Sequence, residues 1–312
     1  MESYSPAPVA IILVNWNGYA HTVQCLRSLG KISYPNYQVF VVDNASTDGS
    51  IPKLKEEFPD VQYILSEHNT GFTGGNNLGI KCALKEGFEL VLILNNDTEV
   101  EPDFLSQLVK CKEENPKAGI IQPLIAFLDE KNKIWSAGGF FKSALGHSKT
   151  QGYQELISNS VLKTKLDWAT GCCMLLSKEI LEEAGSFHEA YFAYFEDVDL
   201  SLRIRKLGYE IVLAPQALIY HEAGASSKQQ HSEGTLSPKV FYLTARNQLF
   251  QLRRHVGFPQ ALLAWPYQLG KFGLWLAYFC LRARFQKAKA LIFGIIDGVS
   301  LDVFSNKRFY PR

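Results

Sequence analysis

Residues 90–100 decide the fold class, and they read LVLILNNDTEV. The five apolar residues 90–94 predict a buried strand of a parallel sheet. The strand leads directly into the polar segment 95–98, which has one carboxylate, Asp97. In open α/β sheets, ligands bind beyond the carboxyl ends of the strands. Because hard divalent cations prefer oxygen ligands, Asp97 is a candidate metal ligand.

A structural alternative explains the same segment without a ligand. Asn and Asp suit a strand-to-helix turn, and Thr98 could cap a helix that begins near Pro102. A second strand end separates the two interpretations, because residues 39–50 read VFVVDNASTDGS. A short apolar strand there ends in Asp43, and a polar turn leads to a helix that Ser50 could cap. Two acidic strand ends in one sheet are what a nucleotide site requires, one for the base and ribose and one for metal and diphosphate.

Two further segments belong to the same candidate site. The predicted strand 9–15 ends in Asn15, and the segment 68–80, HNTGFTGGNNLGI, contains four glycines. Glycine lets the backbone approach a ligand closely, and the helix that follows offers N–H groups to an anion. The pattern is neither G-x-G-x-x-G nor G-x-x-x-x-G-K-[ST], which disfavours a dinucleotide-binding fold and a P-loop.

The order of predicted elements indicates an α/β protein. Strands and helices alternate at 9–14, 20–30, 37–42, 50–57, 61–65, 74–86 and 89–94. Such alternation predicts a parallel sheet with helices on both faces. After a helix near 102–115, strand-like pieces at 118–126, 133–141 and 166–176 indicate more antiparallel pairing.

Five segments together resemble the inverting glycosyltransferases of family 2, in particular the rhamnosyltransferase-like enzymes of bacterial surface polysaccharide synthesis. They are VNWNG, VVDNASTDGS, NTGFTGGNN, LNNDTEV and FEDVDLSLRIRKLGY, within a likeness that covers roughly residues 8–255. The resemblance implies the nucleotide-diphospho-sugar transferase fold known as GT-A: a mainly parallel central sheet flanked by helices, here with a C-terminal helical extension. It also implies a nucleotide-sugar donor, dTDP-rhamnose or a UDP-sugar, and a saccharide or lipid-linked saccharide acceptor.

The expected domain organisation follows the same resemblance. Residues 1–225 are predicted to form the catalytic domain, with a nucleotide-binding half over 1–100 and an acceptor half over 101–225. Residues 226–312 are predicted to form a mobile loop and the helical extension. A mobile loop could close over the donor and exclude water, which protects it from hydrolysis.

The resemblance assigns nucleotide binding to the strand ends and the glycine-rich segment, with Asp43 on the pyrimidine base and 44–48 around the ribose. The assigned residues are Asn15, Asp43, Asn44, Ser46, Asp48, Gly71, Gly75, Asn76 and Asn96. Asp97 and His221 are assigned to Mg²⁺ or Mn²⁺. A lone histidine is usually structural, and His221 is assigned because family members place a histidine there. The family often has two carboxylates, D-x-D, where this chain has N-N-D, which weakens the site's charge.

The chemistry is assigned to residues 189–210. Glu196, Asp197 and Asp199 lie at the start of a predicted helix, where the macrodipole stabilises anions, although acids are common there without any catalytic role. The aromatic residues just before them would exclude water and raise a carboxylate pKa toward the range of a general base. In the family a Glu-Asp pair carries the base. Asp197 is therefore assigned as the base and Glu196 as the neighbour that orients the acceptor; Asp199 could instead pair with Arg203.

Two further assignments each have a structural alternative. Trp168 could form a wall that stacks on a sugar, or it could be a core tryptophan. Arg246 lies in a segment, YLTARNQLF, that resembles a family motif, and it could pair with the diphosphate or be a helix-surface cation.

Composition limits the other function classes. A net charge of +1 with 20% charged residues gives no indication of nucleic-acid binding. The six cysteines form no C-x-x-C pair, which indicates free thiols in a reducing cytoplasm. The first residues lack the basic region of a signal peptide. A nucleotidyltransferase of related fold would show a basic glycine-rich loop near residues 15–20, which this chain lacks. Asp97 and Asp197 argue against a non-catalytic sugar-nucleotide-binding protein.

The C-terminal segment favours an interface with a membrane. Residues 261–281 are apolar and long enough to span a bilayer, but Pro266 and Lys271 interrupt them, and four cations follow over 282–289. Aromatic residues beside cations describe amphipathic helices on an anionic membrane surface. The alternatives are a packed helical appendage and a homodimer interface. The residues leave these interpretations equal, and the family resemblance, which implies a lipid-linked acceptor at the cytoplasmic leaflet, decides between them. The prediction is a cytoplasmic enzyme, peripheral on the inner face of the cytoplasmic membrane through roughly residues 256–300.

Overall fold

The structure is a computed structural model that describes residues 6–222, 228–231, 233–305 and 307–311, with only the backbone described for 228–231. The chain forms two compact units. Within the described ranges, the first contains residues up to 140, 150–187 and 200–222, and the second contains 141–149, 188–199 and the residues from 228 onward. The predicted domain boundaries at residues 100 and 225 stay a prediction.

The first unit begins with alternating strands and helices, as its sequence predicts. These are β1 (Val9–Asn15), α1 (Tyr19–Leu29), β2 (Tyr37–Asp43), α2 (Ser50–Glu57), β3 (Gln62–Leu65), α3 (Gly71–Lys85) and β4 (Leu90–Leu94). The four strands are parallel and lie in the order β4-β1-β2-β3. β4 is buried throughout, and its alternate residues belong to two separate core clusters.

The later strands extend this sheet with mixed pairing. They include β5 (Thr98–Val100), β6 (Ala118–Phe127), β7 (Ile134–Ser136), β10 (Lys165–Leu166), β11 (Cys173–Ser177) and β12 (Glu210–His221), accompanied by α4 (Phe104–Glu114), α5 (Lys178–Ala184) and α6 (Glu196–Lys206). The sheet has ten strands, ordered β10-β12-β6-β11-β4-β1-β2-β3, with β5 on β12 and β7 on β6. β11 pairs antiparallel with β4, and β12 pairs parallel with β6. This α/β architecture, parallel in its first half, confirms the predicted fold class.

Several local predictions were wrong. Thr98 begins β5 instead of capping α4. Ser50 is the first residue of α2, and the Asp48 carboxylate accepts its N–H at 3.0 Å. The predicted strand 166–176 is divided into β10 and β11, and 133–141 into β7 and β8 (Gly139–Lys142), which pairs with β9 (His147–Thr150). These ends depend on hydrogen bonds that form only in the folded backbone, and local sequence patterns do not show them.

The glycine-rich segment is mostly helix, since α3 begins at Gly71 and not at residue 74. A Cβ at Gly79 would lie 2.5 Å from Ile12 Cγ2, and one at Gly75 would lie 2.8 Å from Val14 Cγ1. Both glycines therefore let α3 pack directly on β1. This is a structural reason for their small size, separate from the ligand role expected of Gly75.

The second unit contains the predicted C-terminal helical extension. Its elements are β13 (Lys228–His231), β14 (Gly234–Leu236), α7 (Pro238–His255), α8 (Ala261–Leu281) and α9 (Phe285–Ser300). α9 approaches α7 closely, because Gly294 and Gly298 face Tyr242 and Leu249 with no room for a Cβ. Within the described ranges, every helix is too short or too polar to cross a membrane.

Candidate active site

Asp43 lies at the carboxyl end of β2, in a network that fixes its carboxylate. Asn15 Nδ2 lies 3.1 Å from Asp43 Oδ1, and the Ser46 N–H donates to Oδ2 at 3.0 Å. Asn15 is fully buried, and it also contacts the hydroxyls of Ser46, Ser50 and Thr22. The parallel register of β1 and β2 places Asn15 opposite Asp43. The neighbouring strand ends therefore orient one carboxylate at this edge of the sheet.

Asn44 connects this strand end to the glycine-rich segment. Its Oδ1 accepts from the backbone and hydroxyl of Thr70, and its Nδ2 donates to the Gly71 carbonyl at 2.9 Å. Gly71 has a φ of +72°, a conformation that glycine adopts without strain. Asn76 lies one turn into α3, buried, with its Oδ1 unpaired. The structure thus brings the predicted residues of the β2 end and the start of α3 together.

Asn96 links the two acidic strand ends. Its Nδ2 donates to the Thr22 hydroxyl at 2.8 Å, and that hydroxyl donates to Asn15 Oδ1 at 3.0 Å. A hydrogen-bonded chain therefore runs from Asp43 through Asn15 and Thr22 to Asn96, the residue before Asp97.

Asp97 faces His221, as the two metal assignments require. β5 pairs antiparallel with β12, and this register sets His221 opposite Thr98. Asp97 Oδ1 lies 3.2 Å from His221 Nε2, with side-chain exposures of 9% and 7%. His221 Nδ1 is buried without a hydrogen-bond partner. A buried carboxylate and imidazole that converge in this way are a possible pair of metal ligands or a simple ion pair.

The donor set fits a divalent cation in part. A carboxylate oxygen with an imidazole nitrogen suits Mn²⁺ better than Mg²⁺, which prefers oxygen ligands alone. Among the residues that the structure describes, no group of three His, Cys, Asp or Glu side chains could hold a metal. Asp97 and His221 would thus supply two ligands, and the remaining positions would need oxygens from the diphosphate or water.

Two neighbours of this pair were missed by the sequence analysis. The Trp135 ring lies 4.2 Å from the His221 ring, centroid to centroid, and fixes its orientation. Glu222 pairs with His21 Nδ1 at 3.1 Å and donates its N–H to the Asp97 carbonyl. No local pattern marks Trp135 or His21, because tertiary structure brings both from distant parts of the chain: Trp135 lies on β7, which pairs with β6, and His21 lies on α1.

Glu196 and Asp197 begin α6 and belong to the second unit. Glu196 is 6% exposed and its Oε2 has no partner, whereas Asp197 is partly exposed. Burial, together with the negative charge of Asp197, raises the pKa of the Glu196 carboxyl well above its usual value. The two neighbouring acids therefore differ in exposure. Glu196 is buried and favours its neutral form, whereas Asp197 is partly exposed and accessible to a ligand.

Asp199, Trp168 and Arg246 are buried, whereas the assigned Asp48 is exposed. Asp199 accepts from Arg254 Nε and contacts His255 Nε2, both at 2.7 Å, which the sequence analysis did not foresee. Trp168 is 7% exposed, and its backbone forms a single antiparallel β-bridge with Gly139. Arg246 is fully buried and donates to backbone carbonyls, so the helix-surface alternative was wrong. The acceptor role of Trp168 and the diphosphate role of Arg246 stay predictions.

Comparison with known proteins identifies the family. A family model described as Glycosyl transferase family 2 matches residues 10–185. The chain is 25% identical over 311 residues to the N-acetylglucosaminyl-diphospho-decaprenol L-rhamnosyltransferase of Mycobacterium tuberculosis (strain CDC 1551 / Oshkosh). The alignment covers 92% of this chain and 97% of that protein. It is 24% identical over 249 residues to the dTDP-rhamnosyl transferase RfbF of Shigella flexneri, with coverages of 78% and 79%.

The fold also matches a solved enzyme. The mannosyltransferase PcManGT from Pyrobaculum calidifontis, in complex with GDP-Man and Mn²⁺, is similar with a TM-score of 0.56 and 17% identity, over 95% of this chain and 88% of that one. At this identity the likeness supports the GT-A-like fold alone. The family match covers more than half of the chain, including both acidic strand ends. The chain belongs to glycosyl transferase family 2.

Proposed function

We propose that this glycosyltransferase moves a sugar from dTDP-rhamnose or a UDP-sugar to a hydroxyl of a growing surface polysaccharide or a lipid-linked saccharide, with inversion at the anomeric carbon. The observation that carries the proposal is the continuous chain of contacts from Asp43 to Asn96, next to the Asp97–His221 pair. Two relatives are named as rhamnosyltransferases, which supports a rhamnose donor.

The Asp43 network suits a pyrimidine nucleotide. Its two oxygens are held by Asn15 and the Ser46 N–H, and each oxygen can still accept another hydrogen bond. The N3–H group of uracil or thymine is such a donor. Asp43 would hold the base, and the turn 44–48 would surround the ribose. Because both bases carry N3–H, this contact alone does not distinguish UDP from dTDP donors.

Asp97 and His221 would hold the divalent cation. When bound, the cation would offset the negative charge that develops on the departing diphosphate. The two side chains are poorly exposed, so their electrostatic interactions are weakly screened by solvent. Trp135 packs on His221 and keeps the imidazole turned toward Asp97.

Asp197 would act as the general base. It lies in the first turn of α6 and is partly exposed, so a hydroxyl can reach its carboxylate. Glu196 beside it favours the neutral acid, so the pair would keep one proton acceptor and one proton donor near the acceptor hydroxyl. Asp197 would take the hydroxyl proton as the oxygen attacks the anomeric carbon from the face opposite the diphosphate. A single displacement of this kind needs no covalent enzyme intermediate.

The outer face of α8 supports peripheral attachment to a membrane, where a lipid-linked acceptor would reside. Leu262, Leu263, Leu274 and Leu281 are 64%, 64%, 74% and 87% exposed. Lys271 is the one Lys, Arg, Asp or Glu residue in the α8 sequence, and burial lowers its pKa to about 8. A helix that is apolar on its solvent side has an unfavourable exposed surface unless something covers it.

Charge favours an anionic lipid surface as the covering partner. Residues 256–300 carry five cations and one acid, a net charge of +4, while the whole chain carries +1, which leaves −3 for the remainder. Arg282 and Lys289 are exposed, whereas the acid, Asp297, is buried against the Tyr242 hydroxyl. Apolar side chains would enter the lipid boundary while the cations contact anionic head groups of the cytoplasmic leaflet.

A panel of donors tests the enzymatic proposal. The full chain with Mn²⁺ should be stabilised against heat by dTDP- or UDP-sugars, since ligands that bind the native state raise its stability. Incubation with the stabilising donor and a saccharide acceptor should give a product of inverted anomeric configuration by NMR. Stabilisation by a nucleoside triphosphate alone would favour a nucleotidyltransferase, and a product of retained configuration would rule out the single displacement.

A further inference from the structure

The backbone just before Glu196 is strained. Phe192, Tyr194 and Phe195 have φ angles of +66°, +72° and +69°. Bulky residues rarely adopt positive φ, and each such residue costs on the order of 1–3 kcal/mol unless its surroundings hold it in place. Three of them within four positions need an external support. Strain of this kind is often found at functional sites.

Asn247 of α7 supplies that support. Its side-chain amide lies 2.9 Å from the Tyr191 carbonyl oxygen, 2.7 Å from that of Ala193 and 2.9 Å from that of Tyr194. An amide has two hydrogens, so one of them is shared between two carbonyls. Asn247 is fully buried, which makes these hydrogen bonds costly to lose. One side chain thus holds three carbonyls of the strained segment.

Arg246 adds a charged donor to the same segment. Its Nη2 lies 3.0 Å from the Ala190 carbonyl oxygen and 2.7 Å from that of Tyr191. Its Nε donates to Asn247 Oδ1 at 2.9 Å, which fixes which way the Asn247 amide faces. Hydrogen bonds from a charged group are roughly twice as strong as neutral ones.

The C-terminal end of α7 binds Asp199, which follows Glu196 and Asp197 in the first turn of α6. Arg254 Nε and His255 Nε2 both lie 2.7 Å from Asp199 Oδ1, and the Asp199 side chain is fully buried. Glu196 and Asp197 therefore lie between two sets of contacts with α7. Arg246 and Asn247 bind the backbone carbonyls before them, and Arg254 and His255 bind the Asp199 carboxylate after them.

We propose that Arg246, Asn247, Arg254 and His255 are positioning residues that fix the strained segment 191–195 and so aim Asp197 at the acceptor hydroxyl. This inference rests on the proposed role of Asp197 as the base. Catalysis by a positioned base is sensitive to geometry, and a displacement of about 1 Å can cost roughly 100-fold in rate. The four residues act through the backbone carbonyls and the Asp199 carboxylate. For Arg246 this positioning role is an alternative to the diphosphate contact assigned from its sequence.

The decisive variant is Asn247→Asp, which keeps the size of the side chain but removes the amide donors. We expect kcat to fall about 10- to 100-fold with the donor KM within about twofold, because Asn247 itself is not among the residues assigned to the donor. Hydrogen exchange of the backbone amides of 190–197 should become faster, since the segment loses its support.

Gln248→Glu is the matched control. Gln248 is the next residue of α7, is 2% exposed and donates to the Gly146 carbonyl at 2.7 Å, away from the acidic segment. The Gln248→Glu variant should lose about as much thermal stability as Asn247→Asp but keep the kcat of the unaltered protein. Tyr194→Gly, added to Asn247→Asp, should recover part of the lost kcat, because glycine adopts positive φ without strain. If Asn247→Asp does not fold, Arg254→Lys provides the same test from the other side.

The outcomes separate the two proposals. If Asp197→Asn is inactive while Asn247→Asp and Arg254→Lys keep their kcat, the positioning role is overturned and the base assignment stands. Equal losses of kcat in Asn247→Asp and Gln248→Glu would also overturn it, because both would then reflect general destabilisation. Full activity of Asp197→Asn would reject the base assignment itself, whatever the other variants show.

Discussion

Asp97 is the single carboxylate of the segment 95–98, and its burial against His221 concentrates the negative charge of the site on one residue. Asp97→Ala should abolish metal-dependent donor binding and leave the fold intact. Calorimetric titration of dTDP or UDP with Mn²⁺ measures the effect. Asp60→Ala, which removes an exposed carboxylate, should titrate like the unaltered protein. Unchanged affinity in Asp97→Ala would place the metal site elsewhere.

The division of roles between Asp197 and Glu196 gives a second prediction. Asp197→Asn keeps the size of the side chain but removes the basic oxygen, so turnover should fall by roughly two orders of magnitude or more. Donor affinity should be nearly unaltered. Glu196→Gln should have the smaller effect on kcat, because glutamine also presents a neutral donor in place of the protonated acid. A severe loss in Glu196→Gln with a mild one in Asp197→Asn would reverse the two assignments.

The raised pKa of Glu196 makes stability depend on pH. In the unfolded chain a glutamate ionises near its usual pKa of about 4.3, whereas folding favours its protonated form. Between that pH and the raised pKa, unfolding releases a proton, so stability falls as pH rises, by up to about 1.4 kcal/mol per pH unit. Glu196→Gln removes this dependence, and its stability relative to the unaltered protein should increase from pH 5 to pH 8.

Urea denaturation at each pH measures that difference. Glu56→Gln, at an exposed position, controls for the loss of one charge. A stability difference that stays constant between pH 5 and pH 8 would show that Glu196 does not titrate there.

Among the elements, α3 packs on β1 at positions that only glycine can occupy without a shift. Gly79→Ala would place a Cβ 2.5 Å from Ile12 Cγ2 in β1, and the tightly packed strand has little freedom to move. We expect a loss of about 1–3 kcal/mol in the free energy of unfolding, measured by urea denaturation.

Gly30→Ala is the control for that substitution. Gly30 ends α1 with a φ of −63°, and an added Cβ would lie 3.6 Å from its nearest neighbour. This variant should be neutral or stabilising by up to about 1 kcal/mol. A stable Gly79→Ala protein would mean that α3 can shift away from the sheet.

The same helix shows what sequence reasoning can predict at the level of elements. The strand–helix alternation was predicted through β4, with most ends within one or two residues, because apolar periodicity is a local signal. The start of α3 was missed because four glycines resemble a loop in sequence. Their presence in a helix is explained only by the proximity of β1, which the local sequence does not contain.

For the whole molecule, the attachment of α8 to an anionic membrane gives a prediction for the full chain. It should float with vesicles that contain phosphatidylglycerol at low salt, and less as ionic strength rises, because exposed charges are then screened. Replacing Leu262, Leu263, Leu274 and Leu281 together with Gln should reduce flotation at least about tenfold, because the apolar contact with lipid is lost.

Two other variants complete that experiment. Replacing Arg282, Arg284 and Lys289 with Gln should remove the preference for anionic over zwitterionic vesicles. Val161→Gln, which alters an apolar side chain that is 97% exposed in the first unit, should float like the unaltered protein. Failure of the unaltered chain to float would reject the membrane proposal. Conversion of a dimer to a monomer by the leucine substitutions would assign the face to a second copy.

The sequence by itself determined the family, the order of elements and the acidic ends of β2 and β4. Each of these can be recognised from neighbouring residues, because an apolar run followed by a polar turn is a local pattern. Only the tertiary structure decided what those acids face. His221 meets Asp97 because β12 pairs with β5, and Trp135 packs on His221. α7 holds the segment before Glu196 through Arg246 and Asn247. Such contacts join residues far apart in the chain, and strand pairing and helix packing that bring them together leave no signal in the local sequence.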